Sequence, residues 1–490
     1  MSPARAALAL SLLLPLTAHA RGDGDLGAQI VNLNVTAQQW DFAQPWAKAS
    51  PVKRYAYATV VQTPAGPALL TAATMVQAAT VLQVTKNGSN LESTARVLVE
   101  DREQNLALVT VDAPGFYDDL RPAHFAKKPL TAGDVTLARW RGSQVETAVG
   151  RVARPTVIDS ASGVTDMVTL RVSTDMANGG AGEPAFRRGE LVGVAQGQLG
   201  SELSLVPAGH VEAWLRTAGA DERPWVGTLG LSEQPVTSAV LVDWLGLDKA
   251  RGLLITGVPQ GSSACGQLRR GDVLLSVDGL PLDGEGNVEH PIYGRLYYEY
   301  LVGQRREGDR LPVQLWREGK AVDLQLPLRS YRGEHWLVPT DQSGPPPYLM
   351  AGGLVFRELS DSTPTRSTEL RLLSGLQRQA QREGRRRIIV LSQVLPDPYN
   401  LGYHGQSDEA VDKINGQPID SIDDVAAALT APVGAHHIIE LWPNPVLMTV
   451  VLEAAGLEAA TARIAEAYGL PSPVRLAPAP LPLGPACEAG

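Results

Sequence analysis

Short β-branched segments, each ended by turn-forming residues, dominate the chain between about residues 51 and 197 and constrain its fold most. They include Tyr55 to Gln62, Val81 to Thr85, Leu106 to Val111, Val168 to Val172 and Leu191 to Ala195, with Gly, Pro, Asn and Asp between them. Many short strands predict a β-barrel or a β-sandwich. The segment is followed by residues 207–216, whose apolar side chains fall at i, i+3 and i+4, so a helix is expected to close this domain.

An internal repeat follows the first domain. Residues 273–282 and 410–419 share apolar positions around an Asp278-Gly279 and an Asn415-Gly416 pair. Both pairs tolerate positive φ and predict tight hairpin turns. After the second copy, residues 421–424 have the spacing of a capping box and predict a helix. Two related small domains are therefore expected, and Asp278 and Asn415 are interpreted as turn formers, not site residues.

A chain of 490 residues is long enough for about three domains. The triple proline within residues 330–347 indicates a stiff connector between the two copies, and the Pro/Ala composition beyond Pro471 indicates disorder. The predicted organisation is a signal peptide (1–20), an N-terminal segment (21–50), a β-barrel domain (51–218), a first small domain (223–330), a linker (331–347), a second small domain (348–456), a C-terminal helix (457–470) and a disordered tail (471–490).

The first twenty residues resemble an export signal. They hold one charge, Arg5, then an apolar run from Ala6 to Leu16, then Ala18-His-Ala20, which fits a small-x-small cleavage site. The apolar run is shorter than the roughly twenty residues a spanning helix needs. The sequence therefore predicts a periplasmic or secreted protein with a cleavable signal peptide and no membrane span.

The net charge limits the classes of partner that the sequence predicts, and the cysteine positions bear on whether a disulfide forms. The net charge of −9 argues against nucleic acid or an anionic membrane as the main partner, and the basic run from Arg382 to Arg387 is interpreted as a solvated turn. The two cysteines, Cys265 and Cys487, lie far apart with the second in a Pro-rich tail, so a structural disulfide is not expected. No cluster has the spacing of metal ligands, so neither a metal nor another cofactor is predicted.

Three segments resemble motifs of the HtrA/Deg family. Residues 69–76 are similar to Ile-Leu-Thr-Asn-Ala-His-Val-Val, residues 101–108 to Asp-x-x-x-Asp-Leu-Ala-Leu, and residues 176–186 to Ile-Asn-Pro-Gly-Asn-Ser-Gly-Gly-Pro-Ala-Ile. The resemblance covers residues from about 50 to about 460. It implies a multidomain, mainly β fold, a trypsin-like double β-barrel followed by two PDZ-like α+β domains.

The same alignment implies a degenerate catalytic triad. Thr74 stands at the histidine position, Asn105 at the aspartate position and Ala181 at the serine position. Triad chemistry requires a serine oxygen activated by an imidazole that a carboxylate orients, and none of the three residues supplies its group. The amides of Gly179 and Ala181 stand where the family builds its oxyanion hole, and Glu183 replaces a glycine beside it.

The resemblance therefore implies an inactive protease homologue, and alternatives stay open. An active serine endopeptidase of the same family, serving envelope protein quality control, would need an unrecognised nucleophile. His124 and Asp175 are candidates for other catalytic roles, but neither lies in a motif that places a nucleophile beside a base. A purely structural secreted protein is the third possibility.

The PDZ-like copies imply partners. A PDZ domain adds an extended peptide to a sheet edge. By resemblance, Thr228, Leu229, Gly230 and Leu231 would bind peptide C-termini or unfolded segments through their amides. In the second copy, residues 351–356 correspond, with glycines that could serve only a tight turn, and assembly is favoured over ligand capture.

An aromatic segment, Trp40, Phe42 and Trp46, precedes the predicted barrel. The resemblance implies that such a segment joins three subunits, so a homotrimer is favoured, with packing onto the chain's own barrel as the alternative. An active protease is a further partner that the resemblance suggests.

Overall fold

The computed structural model describes residues 26–86, 89–159, 166–177, 180–217, 226, 228–330, 337–339, 344–360, 386–442, 449–476 and 487. The predicted signal peptide and Gly179 lie outside these ranges.

Six strands close into a first barrel in the order β1-β2-β3-β6-β5-β4. They are β1 (Ile30–Ala37), β2 (Val52–Thr63), β3 (Gly66–Thr71), β4 (Ala79–Lys86), β5 (Ser93–Asp101) and β6 (Leu106–Val111), with a one-turn helix α1 (Ala73–Val76) after β3. The predicted start of this domain at residue 51 is wrong. β1 pairs with both β2 and β4, so the barrel cannot close without it.

Six further strands close into a second barrel in the order β10-β11-β12-β9-β8-β7. They are β7 (Gly133–Arg141), β8 (Gln144–Asp159), β9 (Asp166–Thr174), β10 (Pro184–Arg187), β11 (Glu190–Leu199) and β12 (Glu202–Pro207). Helix α2 (Ala208–Thr217) follows, as predicted, and buries Val211, Trp214 and Leu215. These residues join one apolar cluster with side chains of both barrels, such as Leu70 and Phe186, so the barrels pack against each other.

A third sheet has the order β13-β14-β15-β19-β20. Its elements, with an adjoining hairpin, are β13 (Ser232–Pro235), α3 (Ala239–Trp244), β14 (Leu253–Gly257), β15 (Val273–Val277), β16 (Leu280–Pro281), β17 (Asn287–His290), β18 (Gly294–Tyr297), α4 (Glu299–Gly303), β19 (Arg310–Arg317) and β20 (Lys320–Pro327). The predicted hairpin turn is confirmed, because Asp278 and Gly279 have φ values of 54° and 77° and join β15 to β16.

A fourth sheet has the order β27-β26-β24-β23-β22-β21-β28. Its elements are β21 (Tyr348–Ala351), β22 (Leu354–Glu358), β23 (Ile389–Val394), β24 (Glu409–Ile414), β25 (Gln417–Pro418), α5 (Ile422–Ala428), β26 (His436–Leu441), β27 (Thr449–Glu453), α6 (Leu457–Ala467) and β28 (Val474–Arg475). The turn at Asn415 and the cap of α5 are confirmed, since the Asp424 amide donates to the Ser421 hydroxyl oxygen at 3.2 Å.

Two predictions about the end of the chain are wrong. Residues 471–476 are ordered, because β28 pairs with Tyr348 and Leu349 of β21. Cys265 and Cys487 form a disulfide, with Cα atoms 4.9 Å apart across 222 residues of sequence. The fold brings the tail back to the third sheet, a proximity that sequence distance hides. Residues 477–486 and 488–490 lie outside the described ranges.

The predicted connector and basic turn also differ from expectation. Leu337 and Val338 are buried beside Ile388, so this part of the connector belongs to a core and not to a solvated spacer. Arg387 is only 7% exposed and lies 3.5 Å from the Glu358 carboxylate. Its charge is removed from solvent and paired, which a solvated turn would not require.

The aromatic segment packs on the fourth sheet. The rings of Trp46 and Tyr348 are 5.8 Å apart, and the Arg475 guanidinium lies 4.5 Å from the centre of the Trp40 ring. The Gln393 side-chain amide donates to the Ala43 carbonyl at 3.0 Å. The expected alternative, packing on the chain's own barrel, is therefore replaced by contact with β21 and β28.

Candidate functional site

Two of the three expected triad positions are in direct contact. The Thr74 amide donates to Asn105 Oδ1 at 3.0 Å, and the Ala73 amide donates to the Asn105 carbonyl at 3.2 Å. Asn105 has a φ of 49°, in the left-handed region that asparagine tolerates, and is only 5% exposed. The Asn105 side-chain oxygen thus accepts a hydrogen bond from a backbone amide in the first turn of α1.

Ala181 lies between the barrels. It is only 3% exposed, and its carbonyl accepts from the Tyr57 amide of β2 at 3.2 Å. Gly182 follows with a φ of 89°, and a Cβ there would lie 1.8 Å from the Tyr57 carbonyl oxygen. A residue with a side chain does not fit at 182, so this glycine holds the segment against the first barrel.

A buried ion pair lies two residues beyond Ala181. Glu183 has no exposed surface, and its Oε1 lies 3.1 Å from Arg139 Nη1. Arg139 also donates from Nη2 to the Ala177 carbonyl at 2.9 Å and from Nε to Glu146 at 2.7 Å. The guanidinium therefore joins β7 and β8 to the segment that precedes Ala181.

The electrostatics of this cluster follow from burial. Burial raises the pKa of Glu183, and a hydrogen bond from the Gly180 amide and the charge of Arg139 only partly oppose it. For Arg139, burial works to lower the pKa, but hydrogen bonds with Glu146 and Glu183 outweigh it and the pKa is raised. The cation is thus held charged while the carboxyl is disfavoured as an anion.

Tyr57 completes the cluster. A Cβ on Gly180 would touch its ring at 3.4 Å, and burial raises the pKa of the Tyr57 phenol, with Arg139 opposing and Glu183 reinforcing that shift. A hydrogen bond joins Tyr57 to Arg139. Sequence reasoning identified Glu183 but missed Tyr57, Arg139 and Glu146. Arg139 lies 44 residues from Glu183, so no local pattern could have linked them.

The other catalytic candidates are not assembled into a site. The His124 carbonyl accepts from the Leu191 amide at 2.7 Å, while its ring is exposed, as is Asp175. Neither side chain hydrogen-bonds to a serine within the described ranges. Those ranges also hold no group of three or more His, Cys, Asp or Glu side chains arranged around a common point.

The predicted peptide acceptor, Thr228 to Leu231, precedes edge strand β13. Leu229 is fully buried, and the Gly230 amide donates to the Thr228 hydroxyl oxygen at 2.9 Å. The Thr228 hydroxyl in turn donates to Glu299 of α4. Not all four amides are therefore available to a ligand, because the Gly230 amide is engaged within the loop.

The corresponding segment of the second copy forms a turn. Gly352 and Gly353 have φ values of 56° and 90°, and a Cβ on Gly353 would lie 2.2 Å from the Asn400 side chain. The outer edge of β21 is occupied by β28, and the Met350 amide donates to the Pro473 carbonyl at 2.7 Å. The chain's own C-terminal segment thus covers this edge.

Two closed six-stranded barrels that pack against each other, followed by two sheets that share a hairpin motif, define a trypsin-like protease fold joined to PDZ-like domains. A PDZ domain family model matches residues 338–474. Protease Do-like 2, chloroplastic, of Arabidopsis thaliana is 28% identical over 458 residues, covering 90% of this chain and 74% of the relative. Putative protease Do-like 13 of the same plant is 24% identical, covering 90% and 87%. Over nine tenths of its length the chain is therefore similar to Do-like proteases of the HtrA/Deg family.

Bacterial proteins are also similar. A probable periplasmic serine endoprotease DegP-like from Pseudomonas putida is 31% identical over 168 residues, which is 32% of each chain. The solved structure of the HtrA-type protease AlgW with decapeptide has a TM-score of 0.46 and 19% identity, covering 62% of this chain and 97% of that chain. Among the described residues, no helix has the length and apolar character needed to cross a bilayer.

Proposed function

We propose that this protein is a catalytically inactive HtrA/Deg protein whose PDZ-like domains bind peptide ends or protein partners, in a scaffolding, chaperone-like or protease-regulating role. One observation carries the proposal. The serine position is Ala181, and the fully buried carboxyl of Glu183 lies two residues away, held by Arg139.

The chemistry supports this proposal in two ways. A methyl group at position 181 cannot form an acyl-enzyme, and neither Thr74 nor Asn105 offers a base near neutral pH. In an active member, amides near position 181 would receive the negative charge of the tetrahedral intermediate. Here the Gly180 amide donates to the Glu183 carboxylate instead, so the protein's own carboxylate uses a donor of this segment.

The competing function is an active endopeptidase, which the names of the plant relatives favour. We would incubate the full chain with unfolded casein and with a fluorophosphonate probe, beside a Thr74→His, Asn105→Asp, Ala181→Ser variant and a fourfold variant that adds Glu183→Gly. The natural chain should neither cleave casein nor form an adduct. Adduct formation is expected first in the fourfold variant, because it lacks the carboxylate beside the serine.

Casein cleavage by the natural chain that a serine-protease inhibitor blocks would refute the proposed inactivity. The natural chain and every variant are purified in the same way. A contaminating protease would therefore give the same casein cleavage in all of them. Circular dichroism of each variant checks that the fold is retained.

Peptide binding is proposed for the first PDZ-like domain. Thr228 to Leu231 lead into β13, which pairs with β14 on one side and is the terminal strand of its sheet. An edge strand offers backbone groups to an added peptide strand. Fluorescence anisotropy with a library of C-terminal peptides tests this. Leu231→Asp should abolish binding, whereas Leu401→Asp, at a 76% exposed site in the loop between β23 and β24, should not. Equal peptide binding by both variants would exclude Thr228 to Leu231 as the binding site.

We also propose that residues 1–20 are cleaved on export to the periplasm or outside the cell. The Cys265–Cys487 disulfide supports this, because disulfides persist in oxidising compartments. Mass spectrometry of the mature N-terminus and cell fractionation test the export.

We further propose a homotrimer and an association with an active protease. Sedimentation of the natural protein at micromolar concentration tests the trimer, and co-purification tests the association.

A further inference from the structure

A concave site with four cations lies on the second barrel, and Thr74, Asn105 and Ala181 are not among its lining residues. Its volume is about 520 Å³, in the range of small-ligand sites. Leu130 and Val192, both buried, are part of its lining. Its cations are Lys127, Lys128, Arg187 and Arg188, and one carboxylate, Glu190, also lines it.

The fold brings these cations together from two distant segments. The Ala126 amide donates to the Leu191 carbonyl at 2.9 Å, which ties the segment before Lys127 to β11. Arg188 and Gly189 form the two-residue turn between β10 and β11, with φ values of 54° and 81°. The lysine pair and the arginine pair therefore lie on one surface, although some 60 residues separate them in sequence.

Arg187 is also positioned by its surroundings. Its Nη1 donates to the Ala132 carbonyl at 3.4 Å, and its Nη2 lies 3.2 Å from where a Cβ on Gly133 would be. The missing side chain at Gly133 thus leaves room for the guanidinium.

None of the four cations forms an ion pair with a carboxylate of the described residues. Other cations of the same barrel do, with Arg151 on Asp134 at 3.1 Å and Arg171 on Glu202 at 3.0 Å. The whole chain has a net charge of −9, so a cluster of unpaired cations runs against its average. The four positive charges around the concavity repel one another and create a positive electrostatic potential inside it. A bound anion would reduce this repulsion.

We propose that this concavity binds a short phosphate-bearing group. Lysine supplies point charges and arginine a planar fork, the two donor types that bind phosphate oxygens. A concavity of this size fits a short anion, and the net negative charge of the chain disfavours a long polyanion that would extend beyond it. The phosphate could be free in solution or carried on a lipid headgroup.

Calorimetric titration of the full chain with inorganic tripolyphosphate tests the proposal. We expect one site, weakened at least about tenfold in Lys127→Gln/Lys128→Gln. Arg151→Gln/Arg171→Gln changes the net charge by the same amount on the same barrel and should change affinity less than about twofold. Glu190→Gln removes the one carboxylate and should tighten binding, and added salt should weaken it. Thermal melts of all variants check folding.

A second experiment distinguishes a soluble phosphate from the phosphate of a lipid headgroup. Co-sedimentation with phosphatidylglycerol vesicles, but not phosphatidylcholine vesicles, that is lost in Lys127→Gln/Lys128→Gln assigns a lipid headgroup. Binding of tripolyphosphate without vesicle binding assigns a soluble phosphate ligand. Binding of neither probe, or equal weakening by the two double variants, overturns the proposal.

Discussion

Removing the guanidinium of Arg139 should destabilise the second barrel in a strongly pH-dependent way. In Arg139→Met, the fully buried carboxyl of Glu183 loses its cation, and breaking a buried ion pair from one side costs about 3–5 kcal/mol. The carboxyl can escape by taking up a proton. From its ordinary pKa of 4.5 this costs about 3 kcal/mol at pH 7 and under about 1 kcal/mol at pH 5.

The sign follows from the direction of the pKa shift. A carboxyl with a raised pKa in the folded state binds its proton more tightly there than in the unfolded chain. Its contribution is favourable at low pH and is lost as pH rises above 4.5. The destabilisation by Arg139→Met should therefore grow between pH 5 and pH 7. Glu183→Gln should cost only about 1 kcal/mol at either pH, because Arg139 keeps its partner Glu146 at 2.7 Å.

Hydrogen–deuterium exchange of amides in β10 to β12 reports the free energy of opening of this barrel without contributions from the PDZ-like domains. Arg151→Met is the matched control. Arg151 is 77% exposed and pairs with Asp134, so its loss should cost less than about 1 kcal/mol. Equal effects of Arg139→Met and Arg151→Met, or a penalty that is the same at pH 5 and pH 7, would refute the reasoning.

Three further predictions concern stability. Gly182→Ala should cost more than about 3 kcal/mol, because its Cβ would lie 1.8 Å from the Tyr57 carbonyl oxygen, whereas Gly197→Ala, with no atom within 4 Å, should melt near the natural temperature. Cys487→Ser should lower stability by about 2–4 kcal/mol and make thermal unfolding insensitive to reductant, and a variant still shifted by reductant contradicts this. Burial lowers the pKa of His210 to about 4, so the unfolded chain takes up this proton at a higher pH than the folded chain does. The free energy of unfolding should therefore fall by up to about 3 kcal/mol as pH drops from 6.5 to 4. In urea titrations at several pH values His210→Gln should lose less stability over this range, and an unchanged loss excludes His210 as the cause.

Local patterns predicted the elements well. The short β-branched segments of the barrels, the i, i+3, i+4 stripe of Val211, Trp214 and Leu215, and the turns at Asp278 and Asn415 all depend on the preferred backbone geometry of a few adjacent residues. Three short motifs likewise predicted Thr74, Asn105 and Ala181 as the triad positions, and this assignment stays a prediction. β1 was missed because Asn32 and Asn34 alternate with its buried residues, and asparagine is uncommon in strands.

The sequence by itself therefore determined most of the segments that form strands, turns and helices, and it predicted that the three triad positions carry a hydroxyl, an amide and a methyl group. Only the tertiary structure decided which distant residues meet. Closure of the barrels brings Arg139 to Glu183, docking of the segment before Lys127 along β11 gathers the cations, and return of the C-terminal segment pairs β28 with β21 and joins Cys487 to Cys265. Local periodicity arises from neighbouring residues, whereas these contacts depend on where the whole chain folds back on itself.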